Sequence, residues 1–267
     1  MAVKTESKLL PTLLTNHQYS GMMATFLYNW PIFAGIALFS TVVISVSFIV
    51  LTPWRELFLL SGIGGIVWAM IILLASFLVY DWGDQHEYDR LAELGELEKT
   101  NVLVDVTCGK LRGSRGVLPC FKGGHYFLID IYDEAKMPDN ALKRARNIEP
   151  TLKTERRIYR RTGKPNRFPL PHNWADTIYC SFSLHELQDK ADREAIFKEF
   201  ARMLKPKGRL LIAEHGRDIP NIIAFGPGAY SFFSPATWQT HFETAGLKVA
   251  HHERWRGLVN LWVIKKG

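Results

Sequence analysis

Residues 102–113 read VLVDVTCGKLRG. A short apolar run with a single acid, Asp105, leads into a turn that holds Gly109 and Gly113. Runs this apolar and rich in valine suit a parallel strand covered on both faces. Glycine suits the turn because a backbone without Cβ bends sharply and lets a ligand approach closely. In an open parallel sheet, ligands collect beyond the carboxyl ends of the strands, near the reversal of strand order. The stretch is therefore read as a first strand followed by a ligand loop, although the same residues also fit an ordinary strand-to-helix turn.

Working outward, the next apolar run, HYFLIDI (125–131), places Asp130 at its end, where a carboxylate can accept both hydroxyls of a ribose. Read alone, Asp130 also fits a surface acid or a helix cap. Further strand candidates are TIYCSF (177–182), RLLIAEH (209–215), LKVAHHE (247–253) and LVNLWVIK (258–265). Between them DKADREAIFKEFARML (189–204) starts on the N-cap acceptor Asp189 and sets Ile196, Phe200, Met203 and Leu204 on one helical face. SPATWQTHFETAG (234–246) has Ser234 as N-cap, Pro235 in the first turn and Gly246 as the stop. Strands alternating with helices predict a doubly wound parallel sheet, and the short RWRG turn before the last strand predicts that the sheet ends in an antiparallel hairpin. Residues 81–100 carry Tyr88, Leu91, Leu94 and Leu97 at helical spacing and are read as a linker helix.

With PLPHNWADTIYCSFSLHEL (169–187) and FARMLKPKGRLLIAEH (200–215) added, the chain resembles the class I S-adenosylmethionine-dependent methyltransferases, particularly the branch acting on small molecules and quinones. Those enzymes carry a DxGxGxG loop, an acid ending the second strand, an LHHL-type segment after the fourth strand and RVLKPGG before the fifth. The resemblance covers about residues 100–265 and is most specific from Phe168 to His215. It implies a Rossmann-like, doubly wound, seven-stranded α/β sheet with an antiparallel last strand, and S-adenosyl-L-methionine as cofactor. It assigns Asp105 and Gly109 to the methionine end of the cofactor, with Thr107 in the same loop, Asp130 to the ribose, and Ser181 and Leu184 to the cofactor wall. Lys164, Asn166 and Arg167 stand where the family often has an acid on the adenine amino group, and Asn166 is read as accepting there through its carbonyl. Thr107 and Leu111 depart from the family's glycines, and Gly113 is read as compensating for Leu111 in a longer loop. His185, Glu186, Glu214 and His215 are candidate bases, with His185 equally readable as a structural residue. The segment 216–235 lies where the superfamily builds its acceptor pocket and lid, and Tyr230 is its candidate catalytic residue.

Two runs lie outside the resemblance. Residues 30–53 and 57–80 contain no charged side chain, and each exceeds the roughly 20 residues needed to cross a bilayer core. The first run is too long for a signal-peptide core and a second follows at once, so a transmembrane hairpin (about 31–52 and 57–80) is expected. Tyr28, Trp30, Trp54, Tyr80 and Trp82 sit where headgroups would be. Ser61, Gly65 and Ala69 form a small-residue stripe expected to pack near Gly35 and Ala37. Lys4 and Lys8, against Arg55 alone in the connection, favour chain ends and catalytic domain on the cytoplasmic side. The expected organisation is an N-terminal cytoplasmic segment (1–29), the hairpin (30–80), a linker helix (81–100) and a methyltransferase domain (101–267).

Of the formal net charge of +7, all but about one unit lies beyond residue 80. Residues 143–167 hold ten basic side chains against two acids, a run that fits a solvated face, anionic lipid headgroups or nucleic acid. The expected hairpin favours lipid over nucleic acid, so a lipid bilayer is the expected partner and nucleic acid is not. Three cysteines without paired spacing predict neither a disulfide framework nor a metal site, and Cys108 and Cys180 are read as small buried hydrophobes. Together these readings predict a two-pass, membrane-anchored methyltransferase for a lipophilic acceptor such as a quinone precursor, isoprenoid or phospholipid headgroup. The alternatives are a methyltransferase for a membrane-associated protein and a non-catalytic anchored module with a degenerate loop.

Overall fold

The computed structural model describes residues 14–15, 18–152 and 157–267. Lys4 and Lys8, which carried the sidedness expectation, and Lys153 and Arg156 of the basic run lie outside the described residues. The chain divides into two compact units, Met1–Asp81 and Trp82–Gly267.

The first unit contains helices Ser20–Tyr28, Trp30–Ser47 and Trp54–Tyr80. The last two are long and apolar enough to cross a membrane. Only 11% of each apolar window is buried, unlike the core helix of a water-soluble domain. The first of the pair stops at Ser47, five residues short of the expected end. Phe48 and Ile49 close it with i→i−3 backbone bonds, and Pro53 disfavours helix in the residue before it. The packing face also differs from the expected stripe. Ser61 is exposed, while a Cβ on Gly62 or Gly65 would fall 2.5 Å from Ile44 Cγ1 or 2.6 Å from Ser40 Oγ. A Cβ on Gly35 would meet nothing within 4 Å. A residue shift along a helix turns the face by about 100°, so Gly62 and Gly65 let the backbones approach along the row Ser40, Val43 and Ile44. Helix Ser20–Tyr28 is an addition to the sequence reading. Asp81 caps it from a distance, its carboxylate accepting from Gly21 N and Met22 N at 2.8 Å each.

The second unit is a seven-stranded sheet of order β3-β2-β1-β4-β5-β7-β6. β1 (Val102–Thr107), β2 (His125–Asp130), β3 (Ile158–Thr162), β4 (Ala175–Ser181) and β5 (Leu204–His215) run parallel, and β7 (Val259–Lys266) lies antiparallel between β5 and β6 (Leu247–Trp255). Every residue of β1 is buried, as its composition requires. One face is sealed by Phe197 and Phe200 of helix Lys190–Met203 and by Trp238 and Phe242 of helix Pro235–Thr244. Strand order reverses between β1 and β4, which opens a crevice at their carboxyl ends.

Two elements depart from the sequence reading. β3 forms inside the basic run, with Arg160, Arg161 and Thr162 exposed. As an edge strand it needs no second apolar face, which is why its sequence carries no strand signature; its arginines blunt the edge against pairing. The linker helix spans only Glu87–Leu94 and belongs to the α/β unit. Gly95 ends it lying close on Leu211, where a Cβ would fall 2.5 Å from Leu211 Cδ1. Glu87 pairs with Arg112, and Arg90 holds Glu253 at 2.9 Å, so the segment is docked onto the sheet.

Candidate functional site

The turn after β1 closes on itself. Thr107 Oγ1 accepts from Gly109 N at 3.0 Å and donates to Lys110 O at 3.2 Å. The Thr107 hydroxyl thereby shapes the loop. Gly109 sits at φ +106, a conformation that L side chains rarely adopt. Leu111 follows at the base of the loop. Gly113 belongs to the short helix Arg112–Val117 and admits β4: a Cβ there would lie 2.5 Å from Ser181 Oγ. Gly113 thus serves helix-to-strand packing, away from the ligand side of the loop.

Beyond the ends of β1, β2 and β3 lies a cavity of about 560 Å³ whose walls include Thr107, Gly109, Leu111, Leu128, Asp130 and Arg146. Asp130 ends β2 with its carboxylate on this cavity. Arg146, from helix Asn140–Ile148, clasps it, with Nη1 3.0 Å from Oδ1 and Nη2 2.8 Å from Oδ2. The same guanidinium donates to Cys108 O at 2.7 Å and stacks 4.0 Å over the Tyr132 ring. It also fills the place in front of Gly109, where a Cβ would be 2.4 Å from Nη1. Arg146 therefore occupies both features that the resemblance assigns to the cofactor, the open face of Gly109 and the Asp130 carboxylate. It is the far end of a long flexible side chain, which can swing out.

The other cofactor candidates are distributed unevenly. Asp105 is buried beneath the loop, where it accepts from the Tyr126 hydroxyl. Burial pushes its carboxyl up to about 6, against the hydrogen bonds from Ser114 and Tyr126. It therefore braces the strand and lies off the cavity wall. Ser181 and Leu184 are buried at the end of β4, while Asn166 stands exposed on the turn between Lys164 and Arg167. Cys108 and Cys180 are buried free thiols.

Among the candidate bases, a row of alternating charges runs from Lys110 to Glu214. Lys110 pairs with Glu186, Glu186 Oε1 lies 3.4 Å from His185 Nε2, and His185 Nδ1 lies 2.6 Å from Glu214 Oε2. Glu214 Oε1 also accepts from Leu184 N at 2.7 Å. Burial alone would drive the His185 imidazole down, but the Glu214 and Glu186 carboxylates outweigh it and raise the pKa to about 9. The Lys110 ammonium and the His185 imidazolium in turn hold the Glu186 carboxyl below its usual range despite its burial. His215 behaves oppositely. Burial pushes it down to about 3, its Nδ1 faces Asn221 Oδ1 at 3.0 Å and Leu258 O at 3.1 Å, and its ring packs among Phe182, Phe225 and Phe232. Phe232 also meets the His185 ring edge-on at 5.3 Å. Tyr230 points outward, 65% exposed.

The sign of the His185 shift sets a pH dependence. Its folded pKa of about 9 exceeds the ordinary 6.5, so the stability it contributes is complete below pH 6.5 and is lost as pH rises through 9. Chemical denaturation of wild type and His185→Gln across pH 6 to 10 should show the difference between them shrinking over that window. A constant difference would mean that folding does not raise the His185 pKa.

The sequence reading singles out neither Arg146 nor Lys110 as a site residue, while Glu186, which Lys110 pairs with, is among its candidate bases. Arg146 was read as one of ten cations in a run, and only its docking on Asp130 singles it out. Residues 104–212 match the family described as methyltransferase domain. The ubiquinone/menaquinone biosynthesis C-methyltransferase UbiE of Caulobacter vibrioides is 37% identical over 70 residues, 26% of this chain and 27% of that protein. UbiE of another Caulobacter strain is 34% identical over a stretch of the same length. The matched stretch thus spans about a quarter of the length of these curated relatives. Among solved structures, the pyocyanin biosynthetic protein PhzM superposes with a TM-score of 0.52 at 12% identity, covering 80% of this chain and 58% of that one. Human N-acetylserotonin methyltransferase in complex with S-adenosylmethionine gives 0.50 at 16% identity, covering 77% and 59%. At these identities the structural matches speak to the fold.

Proposed function

We propose that this chain, whose residues 104–212 are a methyltransferase domain of the class I S-adenosylmethionine-dependent superfamily, is a membrane-anchored methyltransferase acting on a lipophilic acceptor, with a quinone precursor as the leading class. The observation that carries the reading is the pairing, in one chain, of this domain with two membrane-length helices whose apolar side chains are exposed. An enzyme whose acceptor and partner are both water-soluble has no need of such helices.

The residues present suit the cofactor. The Gly109 cradle, the apolar walls Leu111 and Leu128 and the Asp130 carboxylate surround a cavity wide enough for a nucleoside once Arg146 withdraws. S-adenosylmethionine would supply a methyl group activated on a sulfonium. The chain's part is chiefly to position and to exclude water. Asp130 would accept the ribose hydroxyls in place of Arg146. Thr107 and Gly109 would hold the loop against the methionine portion. Both His185 nitrogens already face carboxylates, and at neutral pH the ring is cationic, so His185 would act by fixing charge beneath the acceptor and not as a proton acceptor. His215, with its pKa of about 3, is a weak base. This arrangement suits an acceptor atom that is nucleophilic without a strong base, as an electron-rich ring carbon is.

The test is incubation of the purified full chain and methyl-labelled cofactor with membrane lipid extract. Label entering the lipid fraction is expected. Label entering only a soluble metabolite or a protein would reject the lipophilic acceptor.

A further inference from the structure

Four of the seven large apolar or aromatic side chains exposed among the described residues beyond Asp81 fall between residues 219 and 230: Ile219 at 73%, Ile222 at 37%, Ile223 at 59% and Tyr230 at 65%. Ile219, Ile222 and Ile223 belong to helix Ile219–Phe225 at i, i+3 and i+4 spacing, so they share one outward face. The opposite face is committed inward. Asn221 and Ala224 are buried, Asn221 Oδ1 meets His215 Nδ1 at 3.0 Å, and the Phe225 ring lies 4.8 Å from that of His215.

No charged residue occurs from Ile219 to Phe233. The charges at its entry are paired or turned back on the backbone. Asp218 caps the helix and holds Arg254 at 2.8 Å, while Arg217 donates to Tyr230 O at 2.7 Å and Phe232 O at 2.6 Å. The segment is thus an uncharged flap pinned at its base, apolar outside and linked inside to the acceptor-side histidine. In its middle stand Gly226, at φ +56, and Gly228, where a Cβ would meet nothing within 4 Å. A contiguous apolar patch on an otherwise charged domain marks an interaction surface. A short helix with such a face, an aromatic at its margin and an arginine at its base is built like an interfacial membrane element.

We propose that the flap 219–231 inserts its outer face into the hydrocarbon margin of the bilayer and so joins the acceptor side of the site to the membrane interior. The partner is phospholipid and not a second protein, because the same chain carries two exposed apolar helices that bring it to a bilayer. This rests on the membrane-anchored reading above. Its consequence is a route by which a lipophilic acceptor reaches the site without crossing water.

The test uses the full chain reconstituted in vesicles of phosphatidylcholine and phosphatidylglycerol. Spin labels are placed singly at Ile223→Cys, Ile66→Cys and Lys198→Cys in a Cys120→Ser background, since Cys108 and Cys180 are buried. Collision with oxygen, relative to collision with a water-soluble nickel chelate, should be several-fold higher at position 223 than at the exposed helix position 198. Position 66, on the exposed side of helix Trp54–Tyr80, reports separately on the membrane span. A lipid-like value at 66 with a water-like value at 223 would overturn the flap proposal and leave the anchored reading standing. Water-like values at both would overturn the two together.

Discussion

Glu214→Ala lowers the thermal unfolding midpoint of the α/β unit by roughly 10 °C. The Glu214 carboxylate is fully buried and accepts from both Leu184 N and His185 Nδ1. Its loss leaves a buried imidazolium with only Glu186, which Lys110 shares, and leaves the Leu184 amide without an acceptor. Breaking one side of a buried ion pair costs about 3–5 kcal/mol, and each kcal/mol shifts the midpoint of a domain of this size by about 2–4 °C. Glu214→Gln should cost less, because the amide oxygen still accepts from Leu184 N and His185 can release its proton to become neutral. Differential scanning calorimetry of the two variants checks the order. Equal midpoints for wild type and Glu214→Ala would mean that the charge row does not hold the end of β4 against β5.

Gly109→Val abolishes cofactor binding, weakening it at least about 100-fold, or close to 3 kcal/mol. The position has φ +106, and any Cβ would fall 2.4 Å from Arg146 Nη1 and 2.7 Å from Arg146 Cγ, in the space proposed for the cofactor. The backbone strain of a side chain at positive φ costs about 1–3 kcal/mol, which a domain of this size survives. Calorimetric titration of the folded variant with S-adenosylmethionine reads the effect directly. Arg146→Ala should move the other way and tighten binding several-fold, since the apparent affinity of a site is reduced by the fraction of molecules in which it is closed. Unchanged affinity in Gly109→Val would show that the cofactor does not lie against this loop.

Local pattern carried a large part of the fold. The buried strands β1, β2, β4, β5 and β7 are legible because a strand covered on both faces can hold little but apolar residues. The helices at 190–203 and 235–244 announce themselves through Asp189 and Ser234, which accept from backbone amides in their first turns. β3 was not legible, since an edge strand in water is free to be made of arginines. The helix ends at Ser47 and Leu94 were not legible either, being set by turns and by docking onto neighbours.

At the site, the sequence by itself determined the order of its parts: a strand ending at Thr107, a turn at Gly109, an acid at Asp130 and the histidine segment at 184–186. These follow from residue type and spacing along the chain, which local conformational preference can read. Tertiary structure alone decided which groups meet. It set Arg146 across Asp130 and Gly109, turned Asp105 under the loop toward Tyr126, put Asn166 on an exposed turn, and made His185 cationic and His215 neutral. The physical reason is that charge state and pairing depend on burial and on neighbours remote in sequence, 16 residues apart for Arg146 and Asp130 and 29 for His185 and Glu214. No local pattern along the chain encodes such distances.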